Sequence, residues 1–92
     1  MPTTGPQKPK FPKHWKKQHL GIYRDLQSVK NVGEILRTLV KYQQLKNDGA
    51  TNLPQELIDA HIEVTRYILE AEKGISKTRL DEYLKRNIKN HP

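Results

Sequence analysis

The sequence predicts an all-α protein, a small antiparallel bundle of three or four short helices preceded by a disordered, proline- and lysine-rich N-terminal tail. Apolar residues recur at helical spacing from Leu20 onward, and no segment alternates with period two over strand length. Four of the six prolines, Pro2, Pro6, Pro9 and Pro12, fall within the first 13 residues. Ninety-two residues make one modest domain, and a chain this short must build a compact core because it buries a smaller share of its surface than a larger one.

The tail is expected over residues 1–16. Each proline removes a backbone donor and disfavours helix at the residue before it. Lysines lie between the prolines and there is little to bury, so the segment reads as extended and mobile. Phe11 and Trp15 are the exceptions, since bulky aromatics need something to contact.

The helical domain is expected over 17–90, with helices near 18–29, 32–46, 54–73 and 77–89. In the first, Leu20, Tyr23 and Leu26 share a face that Ile22 and Val29 widen, and Gly21 weakens the helix by about 1 kcal/mol relative to alanine. A break is expected near Lys30. Asn31-Val32-Gly33-Glu34 then fits an asparagine cap with a glutamate three residues on, opening a helix whose Val32, Ile35, Leu36, Leu39, Tyr42 and Leu45 align. Turn formers from Asn47 to Asn52 end it, and Pro54 favours a new start. Leu57, Ile58, His61, Ile62, Thr65, Ile68 and Leu69 form the clearest stripe. Gly74 suits a C-terminal cap, Ile75 its accompanying apolar contact, and Ser76 the cap of a last helix bearing Leu80, Tyr83, Leu84, Asn87 and Ile88.

The chain has no cysteine, which excludes disulfides and thiol-ligated zinc. No apolar run approaches the roughly 20 residues that span a bilayer. The first ten residues, MPTTGPQKPK, lack the apolar stretch of a secretory signal, so the expected location is the cytoplasm, or the nucleus of a eukaryote, and not the exterior. The net charge is +7, made of +5 over residues 1–18, −2 over 19–72 and +4 over 73–92. Positive charge at both ends of the chain suits a polyanionic partner.

Catalytic signatures are missing. His14, His19, His61 and His91 stand at no metal-ligand spacing, acidic pairs fall on solvated faces, and there is no glycine-rich phosphate loop. The expectation is a binding protein and not an enzyme, with no cofactor and no metal. The first candidate site is KPKFPKHWKK, where Lys8, Lys10, Lys13, Lys16 and Lys17 can neutralise phosphates and Trp15 can stack on bases; its plainer reading is a solubilising tail whose Trp15 folds back onto the helices. The second is Leu69 to Leu80, with the outline of a helix-turn-helix. In that reading Lys77, Thr78 and Arg79 point into the major groove while Lys85, Arg86 and Lys89 meet phosphates. Against it stand the length of the preceding helix, Glu70 and Lys73 at positions that favour small or apolar residues, and the negative charge of Asp81 and Glu82; a glycine-capped helical hairpin explains the same residues. Ile22-Tyr23-Arg24-Asp25-Leu26 resembles the start of the mitochondrial LYR-motif proteins, small basic helical assembly adaptors, over five residues with isoleucine in the leading place. The phenylalanine that family carries downstream is missing, core positions explain Tyr23 and Leu26 equally well, and no family is assigned.

Two function classes follow. In the first the chain binds nucleic acid, DNA foremost, through its basic tail and basic final helix. In the second it is a small regulator or adaptor that docks on an acidic surface of a larger protein.

Overall fold

A computed structural model describes residues 11–49 and 51–88. Among these residues there are four helices and no strand: α1 (Lys17–Gln27), α2 (Val32–Asp48), α3 (Gln55–Tyr67), which runs directly into a π-helical turn (Ile68–Glu72), and α4 (Lys77–Asn87). The fold class expected from the sequence is the one observed. Expected and observed helix limits differ by a residue or two, except that the third helix changes its winding at Ile68.

Local chemistry sets the breaks. The Oδ1 of Asn31 accepts from the Gly33 amide at 2.8 Å, capping α2, so the asparagine cap serves the second amide of the helix and not that of Glu34. Gly49 ends α2 at φ 70°, in the left-handed region that glycine enters without penalty. Pro54 stands at the cap of α3 and Ser76 Oγ accepts from the Arg79 amide at 3.2 Å at the start of α4. Between α3 and α4 the Lys73 amide donates to the Ile68 carbonyl at 3.0 Å and the Ile75 amide to the Leu69 carbonyl at 2.9 Å. Both bonds are one residue wider than a glycine-capped α-helix makes, because the last turn is wound as π. Gly74, at φ 71°, closes it.

Cross-helix pairs give the directions. Lys16 meets Glu56, and Tyr23 and Gln27 meet Glu72, so α1 and α3 run parallel. Lys46 meets Asp59 and Tyr42 stacks on His61, so α2 runs against α3 between them in sequence. Arg66 Nη2 reaches Asp81 at 2.9 Å and fastens α4 to the end of α3. Ile22, Ile35, Leu39, Ala60, Val64, Ile68, Leu69, Leu80 and Leu84 close into one buried core to which every helix contributes. No described helix is long and apolar enough to cross a membrane.

The expected tail is the point of difference. Residues 1–10 lie outside the described residues, but residues 11–16 pack on the bundle. The Trp15 amide closes a turn on the Pro12 carbonyl at 3.1 Å, and Phe11 and Trp15 lie against Tyr23 and Tyr67. The physical reason is burial: two aromatic rings have a ready apolar surface between α1 and α3, and covering it outweighs the entropy of a free segment.

Candidate nucleic-acid interface

The residues singled out in the sequence separate into two groups at opposite ends of the bundle. At the end where α3 begins, Phe11 stacks on Trp15 (centroids 5.2 Å apart, planes at 17°) and Trp15 on His19 (5.6 Å, 15°). Trp15 is half-buried and its indole N–H is buried without an acceptor among the described residues. Its ring is therefore spent on the fold, as in the plainer of the two readings of the tail. His19 is 7% exposed, and its Nδ1 accepts from the Lys16 amide at 3.0 Å. An amide only donates, so the neutral ring carries its hydrogen on Nε2, which faces Glu63 Oε1 at 3.6 Å. His14 Nε2 bonds the other oxygen of the same carboxylate. Burial pushes the Glu63 carboxyl up, but the hydrogen bond and charge of His14, with the nearby His19 ring and Trp15 indole adding to them, hold it below its ordinary value. Two imidazoles and a carboxylate suggest a metal, yet a nitrogen that bears a hydrogen offers no lone pair. Among the described residues no group of three His, Cys, Asp or Glu side chains is arranged to hold one.

Lys13, Lys16 and Lys17 are exposed around this cluster, Lys16 within 3.8 Å of Glu56. Lys8, Lys10 and Lys89 lie outside the described residues.

At the end where α3 finishes, the structure brings together residues that are distant in sequence. The Gln27 side chain donates to Glu72 at 3.3 Å, which sets the end of α1 beside the end of the π-helical turn. Tyr23 also donates to Glu72; its hydroxyl is pushed up to about 12 by burial first, then by that hydrogen bond and the carboxylate's charge. On α4, Lys77, Thr78, Arg79, Lys85 and Arg86 are all exposed. They do not share one face. Arg79 and Arg86 line a recess of about 400 Å³ with Leu36 of α2, Ile75 and Tyr83, while Lys77, Thr78 and Lys85 stand outside it.

A helix-turn-helix is not what these elements build. The helix before the turn runs from Gln55 to Glu72, Leu80 and Leu84 of α4 are buried in the core, and Asp81 is engaged by Arg66. Leu36 and Tyr83, which line the recess, were not among the expected site residues: Leu36 reaches it only through topology, and Tyr83 reads in the sequence as a core position.

The acids and bases are partnered unequally. Glu56, Asp59, Glu63, Glu70, Glu72 and Asp81 are each held by a neighbouring side chain within the fold. By contrast Lys13, Lys17, Lys30, Lys73, Lys77, Arg79, Lys85 and Arg86 are exposed and make no ion pair among the described residues. Lys16, Lys46 and Arg66 are taken up in ion pairs with acids that stay partly exposed, so what is left unpaired at the two ends is a local excess of positive charge.

No family model, no curated protein and no solved structure matches this chain.

Proposed function

We propose that this protein is a non-enzymatic nucleic-acid-binding module, acting on DNA in the first instance, whose exposed cations at the two ends of a helical bundle engage phosphates. The observation that carries this reading is the unequal partnering just described. Exposed ammonium and guanidinium groups without internal counter-charges are free to displace condensed counterions from a polyanion, and that release drives such binding. The two basic ends are separated by the length of α3 and its π-helical turn, about 27 Å at 1.5 Å per residue from Gln55 to Glu72. A strand lying along the bundle would span that distance with about eight phosphates at 3.4 Å each.

Arg79 and Arg86 supply the planar donors that hold phosphate in two-point contact, and the lysines supply attraction without sequence reading. Weak sequence preference is the consequence. The test is fluorescence anisotropy of a labelled 20-mer of mixed sequence, single- and double-stranded, titrated with the full chain at about 50 mM salt, where phosphate contacts are strong. Saturable binding is expected, and its absence in both forms overturns the reading. Docking on an acidic protein surface draws on the same cations; it becomes the better account if nucleic acid fails and one acidic protein is retained at stoichiometric yield.

A further inference from the structure

We infer that the recess between α2 and α4 is a slot for one base of a single nucleic-acid strand, with Tyr83, Leu36 and Ile75 against the base and Arg79 and Arg86 on the flanking phosphates. This rests on the nucleic-acid reading above and adds to it the form of the ligand and the site that takes it.

Spacing on α4 comes first. Arg79, Glu82, Tyr83 and Arg86 stand at i, i+3, i+4 and i+7, which places them on one helical face, and all four line the recess. The two arginines are separated by about 10 Å of helix rise with the tyrosine between them. Leu36, Ile75 and Tyr83 are each half-buried, so the core below leaves apolar surface uncovered at this point. The volume, about 400 Å³, leaves room for a planar heterocycle. A base projecting from a single strand can enter it, whereas in a duplex the bases are paired and stacked and present only their edges.

The charge order selects the occupant. Along α4 it runs plus, minus, plus: Arg79, Glu82, Arg86. An acidic peptide brings its anions on the side chains that would enter, and meets Glu82. A nucleic-acid strand separates its charges differently, with anionic phosphates on the backbone and a neutral base projecting from it. Phosphates then sit at the arginines, and Glu82 accepts a hydrogen bond from an exocyclic amine. Cytosine, whose N4 amine suits a carboxylate, is therefore favoured over thymine, which has no amine.

The experiment compares 20-mers of oligo-dC and oligo-dT with a mixed-sequence duplex at about 50 mM salt. It uses the full chain and the variants Tyr83→Ala, Tyr83→Phe, Arg79→Ala with Arg86→Ala, and Lys41→Ala as a charge loss outside the recess. Circular dichroism reports whether each variant folds, and Tyr83→Phe keeps the aromatic face should alanine disturb α4. Single strands are expected to bind more tightly than the duplex, with dC several-fold ahead of dT. Tyr83→Ala is expected to weaken single-strand binding about tenfold while Tyr83→Phe and Lys41→Ala stay near the parent. Unchanged binding by a folded Tyr83→Ala, a preference for duplex, or equal displacement by a polyglutamate peptide overturns the slot and leaves nucleic-acid binding standing. Failure of every nucleic acid to bind overturns both.

Discussion

His19 shows how one side chain decides where the folded body begins. Its Nδ1 takes the Lys16 amide, the first orphan donor of α1, and its ring lies flat on Trp15. Replacing it with alanine removes a helix cap and a stacking partner, and is expected to cost about 1–2 kcal/mol in chemical denaturation. Nitrogen-correlated NMR at neutral pH should show the Nε2–H tautomer, and an Nδ1–H tautomer would contradict the assignment. Glu63 adds a pH dependence of known sign. Its carboxyl is held below the ordinary value of 4.5, so its contribution is present above that value and is lost as pH falls through the folded value. Because Trp15 is the only tryptophan, its fluorescence reports this directly: below about pH 4.5 the emission should shift to the red in the parent, and Glu63→Gln should show that emission already at pH 6. The sequence marked Phe11 and Trp15 as aromatics in need of a contact. It did not reveal the contact, because Tyr67 and Glu63 lie about 50 positions further along the chain.

The helices themselves were legible because each has chemical punctuation: Asn31 and Ser76 at starts, Gly49 and Gly74 at ends, and apolar stripes between. The π-helical turn at Ile68–Glu72 was not, since the apolar stripe ends at Leu69, before the wider winding can displace it. Two glycines give opposite expectations in thermal unfolding. Gly21 lies inside α1 with open space where a side chain would stand, so Gly21→Ala should stabilise by about 0.5–1 kcal/mol. Gly74 sits at φ 71°, and Gly74→Ala should destabilise by about 1 kcal/mol although nothing crowds it. Arg66 joins Glu70 on its own helix to Asp81 on α4. Arg66→Ala should loosen α4 selectively, read as faster amide exchange at Leu80 and Leu84 with little change at Leu39.

Across the whole molecule, linear charge counting found the basic ends and described the middle as slightly acidic. It could not show that most acids of that middle are held by neighbouring side chains, nor that Gln27 at the end of α1 meets Glu72 at the end of the π-helical turn. Folding thus turns a two-ended charge pattern into exposed cations at both ends of one bundle, with a half-apolar recess at one of them. The most direct measurement of the central claim is the slope of log affinity against log salt for a single strand. It is best compared between the parent and a chain with Lys8, Lys10 and Lys13 changed to glutamine, since cutting the segment away would also remove Phe11 and Trp15 from the fold. At about 0.7 per phosphate contact, five contacts give a slope near −3.5, and losing three gives one near −1.4. A slope near zero, or the same slope in both chains, would contradict the account.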